Sequence, residues 1–78
     1  MKKTTIMLAT INDVKNFVSI VSHCDYDVDL ISGRYAIDAK SIMGIFSLDL
    51  SKPIDLNIHA DGAALDSVME IIDKYTVE

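Results

Sequence analysis

Cysteine, basic charge and long apolar runs are all scarce in this chain. A single cysteine, Cys24, excludes an intrachain disulfide and a multi-cysteine zinc site, and the expected state is a reduced, half-buried helix residue. Seven basic residues stand against twelve acidic ones, a formal net charge of −5, and the only adjacent basic pair is Lys2-Lys3. Nucleic acid and anionic membrane are therefore not expected partners, since both require a positive surface. Apolar runs such as residues 42–48 fall far short of the roughly 18 to 20 residues of a membrane span, and the first residues lack the apolar segment of a signal peptide, so a cytoplasmic location is expected. Glycine and proline number three and one, and no repeat, low-complexity stretch or linker is visible.

What is present suits a small globular fold. Half of the 78 residues are hydrophobic and 24% are charged, which argues against disorder and leaves room for one domain over residues 1–78 with a small core.

The hydrophobic period changes along the chain. Residues 3–8 are rich in β-formers and predict a first strand. From Asn12 the period becomes helical: Val14, Phe17, Val18, Val21 and Cys24 recur at spacings of three and four, with Thr10 or Asn12 supplying the N-cap oxygen and Asp13 favouring the first turn. Residues 27–31 and 35–39 alternate around Ser32-Gly33, a hairpin signature. Ser41 precedes a short helix on which Ile42, Ile45 and Phe46 share a face, with Pro53 close behind. Ile54, Leu56 and Ile58 alternate with Asp55, Asn57 and His59 as a half-buried strand. The last segment predicts the longest helix, capped by Asp61 and carrying Leu65, Val68, Met69, Ile72 and Tyr75.

The resulting order is β-α-β-β-α-β-α. An α+β open-faced sandwich follows, with three helices on one face of a four-stranded, mostly antiparallel sheet. The expected core is Val14, Phe17, Val21, Ile37, Ile45, Leu56, Ile58, Leu65, Val68 and Ile72. The same order also suits ferredoxin-like β-α-β-β-α-β folds with an appended helix, among them small ligand-binding regulatory domains.

Two motifs carry a family resemblance. The run Lys40-Ser41-Ile42-Met43-Gly44-Ile45-Phe46-Ser47-Leu48 is similar to the regulatory-serine segment of HPr proteins, the small phosphocarriers of the bacterial sugar phosphotransferase system. Ala60-Asp61-Gly62-Ala63 resembles a second signature of that family, and the likeness keeps register over residues 26–75. The resemblance implies the HPr-like open-faced β-sandwich.

Family phosphocarriers depend on a Gly-(Ile/Leu)-His-Ala-Arg-Pro-Ala type motif at the start of the first helix. Counting back from Ser41 without a gap puts the histidine position on Thr10, the arginine position on Asn12 and the proline position on Asp13, and none matches. An imidazole nitrogen accepts a phosphoryl group reversibly, whereas a threonine ester has a poor leaving group. Asp13 also adds negative charge where the family receives phosphate. The resemblance thus implies a histidine-less, noncatalytic member, with no catalytic residue, metal or cofactor. His23 and His59 read as a cationic residue near a helix C-terminus and a solvent-facing strand residue, not as substitute acceptors.

Ser41 matches the serine that a dedicated kinase phosphorylates in some HPr proteins, and the histidine-less relative Crh keeps only that regulatory role in carbon catabolite repression. The resemblance makes Ser41 the regulatory phosphorylation candidate, although an N-cap role alone explains a serine there. Ile42, Met43 and Phe46 are the expected partner-binding residues, while Ile45 and Leu48 belong to the core. The expected function is a regulatory or protein-binding module whose partners include an HPr-type serine kinase, a transcriptional regulator or phosphotransferase enzymes. Two other readings stay open: a phosphocarrier with a non-standard acceptor, and a small-ligand regulatory domain, for which the sequence offers no glycine-rich loop or converging polar set.

Overall fold

The protein is described by a computed structural model over residues 2–77. Its elements are β1 (Lys2–Ile6), α1 (Ile11–Ser22), β2 (Val28–Ser32), β3 (Tyr35–Asp38), α2 (Ile42–Phe46), β4 (Ile54–Ile58) and α3 (Gly62–Ile72), followed by a 3-10 turn over Asp73–Tyr75. The four strands form one antiparallel sheet in the order β1-β4-β2-β3. This is the expected α+β open-faced sandwich.

Alternation within the strands decides which face is covered. Ile6, Val28, Leu30, Ile54, Leu56 and Ile58 are fully buried beneath Val14, Phe17 and Val21 of α1, Ile45 of α2, and Val68 and Ile72 of α3. Each such aliphatic side chain contributes about 1.5 to 3 kcal/mol when taken out of water. Of the alternate positions, which point to the open face, Lys3, Thr5, Asp29, Asp55 and Asn57 are polar and Ile31 is an apolar exception.

The β2–β3 hairpin turns on Gly33 and Arg34. Gly33 has φ +60° and Arg34 is not in the positive-φ region, the type II′ arrangement that matches the strand twist and needs glycine at its first position. At the other end of the sheet, the tail folds back along β1: Met7 N–H donates to Tyr75 O and Val77 N–H to Thr5 O, each at 2.9 Å, around an Ile6–Thr76 bridge.

Several expectations are corrected. The last helix ends at Ile72 and, with 11 residues, is shorter than the 12-residue α1. The chain tightens there into the 3-10 turn, which buries Tyr75 edge-on against Phe17, centroids 6.2 Å apart at 87°. Asp61 stands at the N-cap of α3 but makes no side-chain capping bond. Ile37 and Leu65 are only half-buried, Leu65 packing against the margin of the core. Ile37 lies on the edge strand β3, which has a neighbour on one side only, and Val68 and Ile72 take the fully covered positions of α3. The core instead extends to Leu8, Ala39 and Ala60, which lie outside the regular elements.

Candidate functional site

At the start of α1, Thr10 is the N-cap, with extended backbone at φ −130° and ψ 163°. Its Oγ1 accepts from Asp13 N–H at 3.0 Å, and Asp13 Oδ2 accepts in return from Thr10 N–H at 3.3 Å and from Ala9 N–H at 3.2 Å. This reciprocal capping box satisfies donors that a helix start otherwise leaves without an intrahelical partner. Asp13 is therefore an internal anion at the helix end, and an incoming phosphate would have to displace it against like charge. Asn12 is exposed on the same turn, as is Ile11, whose side chain is 63% accessible.

Around α2, Ser41 is the N-cap and its Oγ accepts from Gly44 N–H at 3.2 Å, while Ile45 N–H donates to Ser41 O at 3.1 Å. The helix closes on Ser47, whose Oγ donates to Gly44 O at 2.5 Å. Five residues can bury only one side. Ile45 is fully buried, and Ile42 and Leu48 pack partly against the core. Met43 and Phe46 remain 77% and 40% exposed. The expected trio of Ile42, Met43 and Phe46 is thus divided: Ile42 faces inward in part, and the outward apolar surface is Met43 with Phe46. Beyond the helix, Asp49 Oδ1 accepts from Ser51 N–H at 3.0 Å and Ser51 Oγ at 2.5 Å. These bonds, the side-chain one first, hold the Asp49 carboxyl below its ordinary pKa.

Sequence reasoning assigns no role to Ile11. Periodicity offered no signal, since Ile11 lies three residues before Val14 and seven before Val18 at the margin of the apolar stripe, yet as the first residue of α1 it stays exposed. The helix that carries it packs beside α2.

Both histidines are engaged elsewhere. His23, just past α1, has Nδ1 2.6 Å from Ser19 O, which agrees with its expected place at the helix C-terminus. His59, just past β4, has Nε2 2.7 Å from Asp29 Oδ2, a cross-strand partner that adjacency of β2 and β4 provides. Lys40 Nζ donates to Cys24 O at 2.9 Å and so ties the α2 approach to the end of α1. Cys24 is half-buried, as expected, but lies past the end of α1 rather than on it, and next to it burial, with help from the Cys24 sulfur and the Asp25 carboxylate, pushes the Tyr26 phenol up to about 12. Among the described residues there is no group of three or more His, Cys, Asp or Glu placed to hold a metal ion. No helix among them is long and apolar enough to cross a membrane.

Comparison with known proteins agrees with this architecture. The family model described as PTS HPr component phosphorylation site matches residues 12–77. The crystal structure of HPr-C-His from Thermoanaerobacter tengcongensis is similar at 25% identity and a TM-score of 0.73, over 95% of this chain and 93% of that one. Since the family model spans everything from the first turn of α1 to the tail, and the same sandwich recurs in a solved HPr structure, the chain belongs to the HPr family of the sugar phosphotransferase system.

Proposed function

We propose that this protein is a noncatalytic, cytoplasmic HPr-like module that regulates through protein contacts rather than by carrying phosphate, and that Ser41 is its modifiable residue. The observation that supports this reading is the Thr10–Asp13 capping box: the residue that the resemblance puts at the family's histidine position is a threonine already used as a cap, and the neighbouring donors are taken by a carboxylate. A residue in that state offers no imidazole nitrogen and no open anion site. Ser41, Met43 and Phe46 form the contact region, with the hydroxyl and two exposed apolar side chains on one short helix. An HPr-type serine kinase, a transcriptional regulator and phosphotransferase enzymes are the partners this reading names.

Two incubations test it. With phosphoenolpyruvate and the general phosphotransferase enzyme, the protein should gain no acid-labile, base-stable phosphate, and such a phosphate would restore the carrier reading. With an HPr-type serine kinase and ATP, mass spectrometry should find one acid-stable phosphate on Ser41, absent from Ser41→Ala.

A further inference from the structure

The two edges of the sheet are finished differently. The outer edge of β1 is covered by the tail through the Met7–Tyr75 and Val77–Thr5 backbone bonds. The outer edge of β3 has no partner strand among the described residues. Which backbone groups it presents follows from the ladder. Ala39 N–H donates to Val28 O at 2.8 Å, so the hydrogen-bonded pairs between β2 and β3 fall at Val28/Ala39, Leu30/Ile37 and Ser32/Tyr35. Asp29/Asp38 and Ile31/Ala36 are then the non-bonded pairs. The N–H and C=O of Ala36 and the N–H of Asp38 consequently point away from the sheet and are open to another strand, while Asp38 C=O already accepts from Ser41 N–H at 3.0 Å.

We propose that this edge pairs with its own copy, two β3 strands meeting antiparallel about a twofold axis at Ala36. The faces and the charges both select that register. A twofold perpendicular to the sheet keeps the helices of both copies on one side, so facing residues must share a face of their strands. Centring on Ala36 satisfies this and sets Arg34 of one copy opposite Asp38 of the other, twice, since 34 and 38 lie two residues either side of 36. Natural proteins often protect an edge with charged side chains, lysine above all, and like charges repel a second copy. This edge instead ends in opposite signs and is complementary to itself. The same register places Tyr35, 70% exposed, against Ile37 of the second copy, and it needs only the small Ala36 at the axis. Asp38 Oδ1 accepts from Lys40 N–H at 2.9 Å, which leaves Oδ2 for the arginine. The pairing continues the four-stranded sheet into one of eight strands and is independent of whether Ser41 is modified.

Sedimentation equilibrium and amide hydrogen exchange test it on the full chain, from about 10 µM to about 1 mM, a range in which a weak pairing saturates. A monomer–dimer equilibrium is expected, with exchange at Ala36 slowing as concentration rises. Ala36→Pro removes a donor the monomer does not use, so it should weaken association by about tenfold or more while the far-ultraviolet circular dichroism of the monomer is retained. Arg34→Glu should also weaken association, and Arg34→Glu combined with Asp38→Lys should restore it, which keeps the test valid if the proline variant misfolds. A monomer at every concentration overturns the proposal. So does a dimer whose affinity is unchanged by both Ala36→Pro and Arg34→Glu.

Discussion

Thr10 and Asp13 hold each other across the first turn of α1, the threonine hydroxyl receiving the Asp13 N–H at 3.0 Å and the Asp13 carboxylate receiving the Thr10 N–H at 3.3 Å. The carboxylate also receives Ala9 N–H, so one side chain satisfies two donors at the helix end. A new nucleophile placed here meets a site already filled. Thr10→His alone keeps Asp13 and lacks a neighbouring cation, and it should accept no phosphate from the general phosphotransferase enzyme. Transfer should become detectable only when Asn12→Arg and Asp13→Pro are added. Radiolabel transfer to the single and the triple variant checks this, and efficient labelling of Thr10→His by itself would show that the field of Asp13 is unimportant.

Gly44 is fixed by its approach to Ile37. A Cβ on Gly44 would lie 2.6 Å from Ile37 Cγ2, so something must shift, and the restricted χ1 of a β-branched side chain makes that shift costly. Gly44→Ala gains about 1 kcal/mol of helix propensity but incurs overpacking of about 1 to 3 kcal/mol, so a net loss of stability is expected. Adding Ile37→Ala should make the second substitution far less costly than it is in the parent. A thermal-denaturation double-mutant cycle measures that coupling, and additive effects would mean that α2 shifts freely on β3.

How much of this was readable in the sequence depends on the range of the contacts. The helical stripe of Val14, Phe17 and Val21 and the cap at Ser41 are local patterns, and both appear as read. The resemblance added the fold that alternation alone left open between two architectures. Contacts that depend on strand order were not legible. His59 meets Asp29, 30 residues away, only because β4 inserts between β1 and β2. Tyr75 continues the helical spacing of Val68 and Ile72, yet it sits in a 3-10 turn because Phe17 and the tail pairing with β1 draw it in. The partner-facing residues were partly legible: periodicity gives a helix its apolar side, but Ile42, Met43 and Phe46 span more arc than five residues can bury, and only packing decides that Ile42 turns inward.

The phenol of Tyr26 should titrate late. Burial, reinforced by Cys24 and Asp25, raises it to about 12. A raised folded-state value means that the folded form holds the proton more tightly, so this contribution to stability is complete below the unfolded value of about 10 and is lost as pH rises from there through about 12. Phenolate absorbance followed against pH should include a step near 12 that disappears in Tyr26→Phe. If that variant leaves the titration above pH 11 unchanged, Tyr26 is more open to water than its packing indicates.

Ser41 has an observed role as a cap and a proposed one as a phosphorylation site, and the two respond differently to substitution. As a cap, its Oγ holds Gly44 N–H, and Ser41→Ala should lower stability by about 0.5 to 2 kcal/mol. Ser41→Asp supplies another capping oxygen and should recover most of that loss. A phosphate on the hydroxyl adds about −1.5 to −2 charge at a helix start, where an anion is favoured by roughly 0.3 to 1 kcal/mol, so the fold should tolerate it. The same charge stands two and five residues before the exposed Met43 and Phe46, which puts it on any partner that docks there. A partner resting on apolar contacts is repelled and one presenting arginine or lysine is recruited. Modification should therefore shift affinity for at least one regulator by about tenfold or more, equivalent to roughly 1.4 kcal/mol, with a smaller change in melting temperature. Calorimetry of the phosphorylated and unmodified protein with that regulator, beside their melting curves, measures both quantities. If an active kinase leaves Ser41 untouched, the serine is only the cap that Gly44 requires and the regulatory reading of this helix falls.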